Sequence, residues 1–261
     1  MMQGTGTMID FSTVTELPGN LASAEQLEML HTRYHWAREF CRDKEVLEAA
    51  CGPGWGLGYL AEKARRVVGG DYLESNVRIA NSHYQGRVEM LQFDAQNLPF
   101  PDSGFDVLIL FEAIYYLPEP KKFLAEAKRV LKPGGILLIC SANREREDFN
   151  PSPYSVKYYN AAELKELLEG NGFAAEIKVG FEAGRKGPLQ KTVTLVRKTA
   201  VALHLMPKTM KGKALLKRIF YGKLKPLGME IDTGVPVRAL SPAPPSPVTN
   251  FKVLYAIARK L

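Results

Sequence analysis

Glu48, Asp71, Asp94 and Glu112 each stand at or near the end of a short apolar run, and the first is followed by Gly52, Gly54, Gly56 and Gly58 at alternate positions. A carboxylate in such a place takes hydrogen bonds from two donors at once, as the hydroxyls of a ribose edge present them. Glycines between a strand and a helix let the backbone turn sharply and lie against a ligand, although a tight turn with no ligand uses the same residues. Two phosphate-binding patterns are missing. GxGxxG fails because Gly54 has no glycine three residues later, and no GxxxxGK[ST] occurs.

These acids need a frame that brings strand ends together. Residues 22 to 41 read as a helix, "EVLEAAC" as a buried strand, residues 58 to 64 as the next helix, and "RRVVGGD" as a second strand ending at Asp71. The pattern then repeats: "NVRIANSHY" is helical, "VEMLQFD" a third strand, "FDVLILFEA" a fourth, "PKKFLAEAKRVL" a helix and "GGILLICSA" a fifth strand. Strands alternating with helices predict parallel βαβ units and an α/β, doubly wound sheet. Ligands on such sheets lie beyond the carboxyl ends of the strands.

Composition excludes several classes. The 261 residues suffice for a sizeable core, and Cys41, Cys51 and Cys140 form neither CxxC spacing nor an even disulfide set, so a reducing compartment and no metal site are expected. The first twenty residues lack a basic stretch followed by an apolar one, and no apolar run reaches the roughly 20 residues of a bilayer span. A soluble cytoplasmic protein is the expectation. The net charge of +7 is local: between Arg185 and Lys225 stand twelve Lys or Arg and no Asp or Glu, and the remainder is net acidic.

Taken together, "VLEAACGPGWG", "GGDY", "QFDAQNLPFPDSGFDVLILFEAIYYLPEP" and "EAKRVLKPGGILLIC" resemble the small-molecule branch of the class I S-adenosylmethionine-dependent methyltransferases, over residues 33 to 181. The resemblance implies a Rossmann-like methyltransferase sheet, mostly parallel with an antiparallel final strand, and S-adenosylmethionine as cofactor. It places Glu48, Ala50, Gly52 and Gly54 in the loop at the methionine part of the cofactor, and Tyr34 and Cys51 among the cofactor-binding residues. Asp71 with Tyr72 is implied at the ribose, Asp94 with Ala95 at the adenine, and Phe111 with Glu112 beneath the sulfonium. Trp55, where relatives have a smaller residue, reads as a ring packed on the following helix.

Methyl transfer needs alignment more than covalent chemistry, because the sulfonium is already activated. A general base helps when the acceptor is a hydroxyl. Relatives often carry a histidine at the position of Tyr116, so the candidates for catalytic roles here are Tyr115, Tyr116 and His35, with His31 as an alternative on the same helix. Ordinary packing is the competing reading for both tyrosines. Nucleic-acid amine enzymes of this family place [DNS]PP[YFW] after the fourth strand, where this chain has "EAIY", so no nucleic-acid partner is expected. Cysteine-mediated ring methylation needs a positioned thiolate, and Cys51 and Cys140 fall in the loop and in a strand. The leading expectation is O-methylation of a hydroxyl on a sugar, glycan intermediate or natural product. N- or C-methylation of a small molecule or lipid, a nucleic-acid enzyme using the basic segment, and a cofactor-binding protein without catalysis are the alternatives.

The expected organisation is an entry segment and helix over 1–41, a cofactor-binding core over 42–181 and 249–261, and a basic insertion over 182–248. "FAAEIKVGF" and "NFKVLYAIARK" are expected to close the sheet as an antiparallel pair. Between them, Leu189, Val193, Val196, Ala200 and Leu203, then Leu215, Leu216, Ile219 and Phe220, fall at helical spacing, and "SPAPPSP" reads as an extended return. The insertion is expected to be a helical cap beside the acceptor pocket, favouring an anionic acceptor. A solvated face, a homodimer arm and a peripheral membrane contact are its other readings.

Overall fold

The computed structural model describes residues 15–183 and 224–261. Among the described residues eight strands form the main sheet, seven of them longer than two residues: β1 Glu45–Ala49, β2 Arg66–Asp71, β3 Glu89–Gln92, β4 Phe105–Phe111, β5 Leu131–Ala142, β6 Phe173–Glu182 and β7 Phe251–Lys260. Their order is β3-β2-β1-β4-β5-β7-β6, with the two residues Ser241–Pro242 pairing on the outer edge of β6. Strands β1 to β5 pair in parallel. β7 runs antiparallel to both β5 and β6, so the expected closing pair is present, wedged so that β7 touches β5.

Helices α1 Ala24–Arg38, α2 Leu57–Ala61 and α3 Glu74–Tyr84 cover one face, packing Trp36, Leu57, Leu60 and Tyr84 against it. Helices α4 Pro120–Val130 and α5 Ala161–Glu169 cover the other with Phe123, Leu124, Leu164 and Leu168. Cover on both faces is why β4 is apolar apart from Asp106. Val46, Leu47, Ala49, Leu108, Ile109 and Leu110 are fully buried. The strand order reverses between β1 and β4, and the crevice opens beyond their carboxyl ends.

Helix α1 is shorter at both ends than the expected 22 to 41. Ser23 sets its start through a capping box: Ser23 Oγ accepts from the Gln26 N–H and Gln26 Oε1 accepts from the Ser23 N–H. The segment from residue 224 onward is tied to the core. Leu21 and Ala22 pair with Pro226 and Lys225, and Glu230 accepts from His83 Nε2 at 2.6 Å and Arg87 Nη2 at 2.7 Å on and just after α3. Arg238 donates from its backbone to Thr32 Oγ1 and from its side chain to Glu28. Residues 224–248 form an extended strap across α1 and α3, with no helix, and include the "SPAPPSP" stretch. The two helical stretches expected between Leu189 and Phe220 lie outside the described residues.

Candidate functional site

A cavity of about 980 Å³ lies over the carboxyl ends of the strands. Its wall includes Tyr34, Glu48, Ala50, Cys51, Gly52, Asp71, Tyr72, Asp94, Ala95, Phe111, Glu112, Tyr115 and Tyr116. Two of the expected site residues are not in the wall, Gly54 and His35.

The loop after β1 explains Gly54. Ala50, Gly52 and Gly54 all have positive φ, so the chain coils tightly as it leaves the strand. A Cβ on Gly52 would find only Thr15 Cγ2 at 3.8 Å, leaving room on the cavity side. A Cβ on Gly54 would meet Leu57 at 3.0 Å and Tyr84 at 3.1 Å, and one on Gly56 would sit 2.1 Å from the Tyr34 ring. Gly58 is closed off by Glu230 at 2.4 Å. One glycine of the four thus opens towards the cavity, and the other three make room for the protein itself. Trp55, read as packed on the next helix, is buried in the cavity wall and donates from Nε1 to the Glu16 carbonyl at 3.3 Å.

The geometry of α1 explains His35. Successive helical residues point about 100° apart, and α1 turns Tyr34 inward, where its hydroxyl donates to Glu48 Oε1 at 2.6 Å. His35 is thereby exposed, with Nδ1 3.1 Å from Tyr59 Oη on α2. His31 faces the Val235 carbonyl of the strap and lines a smaller neighbouring cavity of about 190 Å³. Neither histidine reaches the larger cavity.

The acids are held in graded ways. Asp71 is almost saturated: Oδ1 accepts from the Leu73 N–H and Asn76 Nδ2, and Oδ2 accepts from the Gly52 N–H at 2.8 Å. Burial nevertheless raises its pKa. Asp94 accepts from the Gln96 N–H at 2.8 Å. Glu112, at the end of β4 with φ of 52°, accepts from Tyr115 Oη at 3.0 Å and from Cys140 Sγ. Glu48 is 1 % exposed, and its Oε2 has no hydrogen-bond partner. Burial pushes its pKa up to about 8, against the opposing effects of the Tyr34 hydrogen bond and Arg33. An orphaned oxygen on a buried acid is costly unless a ligand completes it.

Arg33, the residue before Tyr34, also lines the cavity, with Glu112 and Glu16 as charged neighbours. Arg146 and Lys252 line its β5–β7 side. Sequence reasoning misses all three. Arg33 had a signal, since it directly precedes Tyr34 on a helix expected to enter the site. Burial pushes the Cys51 and Cys140 thiols well above their ordinary range, so both are neutral and neither is a prepared nucleophile.

The methyltransferase domain family matches residues 47–139, which span the glycine loop, the strand-end acids and β4 to β5. The chain is 40 % identical over 148 residues to a probable S-adenosylmethionine-dependent methyltransferase of Mycolicibacterium smegmatis, covering 55 % of this chain and 57 % of that protein. Over the matched residues the chain is thus similar to S-adenosylmethionine-dependent methyltransferases. A fatty-acid O-methyltransferase of the same organism is 40 % identical over 108 residues, covering 40 % of this chain and 39 % of the relative. The chain thus spans little more than half the length of the first relative. The crystal structure of the YcgJ protein from Bacillus subtilis, 18 % identical with a TM-score of 0.57, covers 88 % of this chain and 98 % of its own, and shows the same fold.

The cofactor of this family is S-adenosylmethionine, and the cavity wall suits it. Its amino acid end carries an ammonium and a carboxylate. The orphaned Glu48 Oε2 answers the first and Arg33 the second. Gly52 leaves the backbone bare, the second lone pair of Asp71 Oδ2 is open to a ribose hydroxyl, and the half-exposed Tyr72 with Ala95 offers a flat apolar border for a base. Among the described residues no helix is long and apolar enough to cross a membrane.

Proposed function

We propose that this methyltransferase transfers the S-methyl group of S-adenosylmethionine to an oxygen of a small-molecule or lipid acceptor. The observation that carries this reading is the division of one cavity into two chemically different ends. The β1–β2 end has Glu48, Gly52 and Asp71, while the β4–β5–β7 end has Tyr115, Tyr116, Ala142, Arg146 and Val253. Similarity to a fatty-acid O-methyltransferase supports both the oxygen and the lipid class. The sugar, glycan or natural-product hydroxyl expected from the sequence is one member of this acceptor class.

The cofactor supplies an activated methyl on a sulfonium. The chain's own residues then have three tasks. Glu48 and Arg33 fix the amino acid end by charge. Phe111, stacked on Trp36 and edge-on to Tyr34, gives a rigid apolar floor. Tyr115, stacked 4.1 Å from Tyr158, and Tyr116, 2.6 Å from Ser152 Oγ, wall the acceptor and keep water from the transfer. Burial and the nearby Glu112 push the Tyr115 phenol well above its ordinary range, so it donates a hydrogen bond and does not serve as a base. Calorimetry with S-adenosylmethionine and transfer from methyl-labelled cofactor test the reading. Micromolar binding with turnover is expected, and a folded protein that does not bind the cofactor defeats it.

A further inference from the structure

Among the described residues five acids stand in the wall of the large cavity: Glu16, Glu48, Asp71, Asp94 and Glu112. The strand order distributes them. Asp94 follows β3, Asp71 ends β2 and Glu48 lies in β1, the cofactor half of the sheet, while Glu112 follows β4, beyond the reversal. Glu16 is exposed, and its backbone carbonyl takes the Trp55 N–H beside the glycine loop, so it too belongs to the cofactor end. Glu112 is left as the acid on the acceptor side.

The other groups of this wall are poorly prepared to take a proton. Among the described residues it has no histidine, Lys252 is paired with Glu25 at 2.6 Å, and the guanidiniums of Arg33 and Arg146 keep their protons. Phenols are protonated at neutral pH, and burial raises those of Tyr34, Tyr115, Tyr116 and Tyr255 further. The thiols of Cys51 and Cys140 are neutral for the same reason.

Glu112 is built differently. Its φ of 52° is a conformation that a long side chain rarely adopts, and its N–H holds it there by donating to the Cys140 carbonyl at 2.8 Å. Strained backbone of this kind clusters at functional sites, where a side chain has to be aimed. Oε2 accepts from Tyr115 Oη at 3.0 Å and Oε1 from Cys140 Sγ at 3.6 Å. Each oxygen thus has one donor, which fixes the carboxylate, while an ionised carboxylate has room for about two on each. The side chain is half-buried, unlike Glu48 and Asp71 at 1 % and 8 % exposed, so the remaining lone pairs are within reach of a ligand in the cavity.

Resting on the methyl transfer to oxygen proposed above, we infer that Glu112 is the general base and that the acceptor is a hydroxyl. Glu112 takes the hydroxyl proton as the acceptor oxygen bonds to the methyl carbon, and the carbon–sulfur bonding pair stays on sulfur. What remains is a methyl ether, a neutral thioether and a protonated Glu112, so the carboxylate and sulfonium charges disappear together. A carboxylate acceptor would instead meet Glu112 as a second anion, with no proton to give it. The groups facing Glu112 are Arg33 from α1, Cys140 from β5, Tyr255 from β7, Tyr115 and Tyr116 after β4, and Tyr158 before α5. In acid Arg33 stays cationic and the others stay neutral, so none of them supplies a titrating limb there.

The test uses the full chain with methyl-labelled S-adenosylmethionine, three hydroxyl probes (dodecan-1-ol, 4-octylphenol and octyl glucoside) and dodecanoate. A methyl ether is expected from at least one hydroxyl, with kcat/KM at least tenfold above that for methyl dodecanoate. Glu112→Gln keeps the shape of the side chain and an oxygen for Tyr115. Its kcat is expected to fall about a hundredfold or more, while acceptor KM and the calorimetric cofactor Kd change less than threefold. Glu112→Asp should recover part of kcat. At saturating cofactor the unaltered chain is expected to lose kcat as pH falls, and Glu112→Gln to lack that limb. The unchanged cofactor Kd shows that the variant is folded. Methyl dodecanoate as the main product, cofactor binding without an ether from any hydroxyl, or a Glu112→Gln variant that keeps kcat and its acid limb overturns the assignment. A cofactor Kd raised tenfold in Glu112→Gln also overturns it, making Glu112 a cofactor ligand. Absence of cofactor binding in the unaltered protein instead overturns the methyltransferase reading beneath it.

Discussion

Tyr34 on α1 donates its phenol hydrogen to Glu48 Oε1 on β1 across 2.6 Å, both groups are buried, and Glu48 Oε2 remains without a partner. The pair is half of a site: one oxygen is fixed by the protein and the other is available to the cofactor's ammonium. Glu48→Gln removes the charge but keeps the shape. Its cofactor Kd is expected to rise at least tenfold, since hydrogen bonds to charged groups are worth about 1.5–3 kcal/mol. Titration calorimetry measures this directly.

The raised pKa of Glu48 gives a pH dependence with a definite sign. Its ordinary value is 4.5 and its folded value is about 8, so between these the folded state holds a proton that the unfolded state has released. Its stabilising contribution is complete below about 4.5 and is lost as pH rises through about 8. The stability of the cofactor-free protein relative to Glu48→Gln is therefore expected to decline from pH 5 to pH 8 in denaturant titrations. The cofactor's ammonium favours the ionised acid, so binding should release protons near neutral pH. Calorimetry in buffers of different ionisation enthalpy reads that release, and proton uptake would contradict the assignment.

Gly52 and Gly56 should respond oppositely to alanine. Gly56→Ala drives a methyl to within 2.1 Å of the Tyr34 ring and is expected to destabilise by about 1–3 kcal/mol, the usual cost of overpacking. Gly52→Ala meets only Thr15 at 3.8 Å, and its strain at φ of 59° costs about 1–2 kcal/mol. Its larger effect is expected on cofactor affinity, with a Kd raised well beyond the change shown by Gly56→Ala variants that remain folded. Parallel melting and binding curves separate the two.

Tyr115→Phe and Tyr116→Phe test whether the tyrosines are walls or bases. As walls they should leave the shape of the kcat–pH profile unchanged and lower kcat less than tenfold. Disappearance of a titrating limb in either variant would make that tyrosine the base.

The strap is held by ions that acid removes. Burial works against the Glu230 charge, but the bonds from Arg87 and His83 outweigh it and hold its pKa below the usual range. Its contribution is present above the unfolded value of 4.5 and is lost as pH falls through the lower folded value. Glu230→Gln should therefore speed amide exchange in residues 225–235 at neutral pH, and the difference from the unaltered chain should shrink in acid.

Much of the sheet is legible because buried parallel strands leave continuous apolar runs, and the acids that end them fall where the crevice must be. The closing pair was legible for the same reason. The direction of single side chains was not. Whether position 34 or 35 of α1 faces the cavity depends on how α1 docks, and α1 docks through Trp36 and Leu30 against residues far along the chain. That Gly54, Gly56 and Gly58 make room for the protein was not legible because their neighbours Tyr84, Tyr34 and Glu230 lie 22 to 172 positions away in sequence. Arg146 has no motif at all, since a lone arginine after a strand looks like surface until its neighbours are known.

The placement of β7 also bears on how the chain folds as it is made. Val253 pairs with Ala142 on one side and with Gly180 on the other, so β7 fills a slot between two strands synthesised before it. Until it emerges, β5 and β6 cannot meet, and each presents an unpaired apolar edge of the kind that invites aggregation. The crevice is incomplete for the same interval, because Lys252, Val253 and Tyr255 are part of its wall. A nascent chain that has not yet reached Phe251 therefore lacks part of the crevice wall and exposes edges that chaperones recognise.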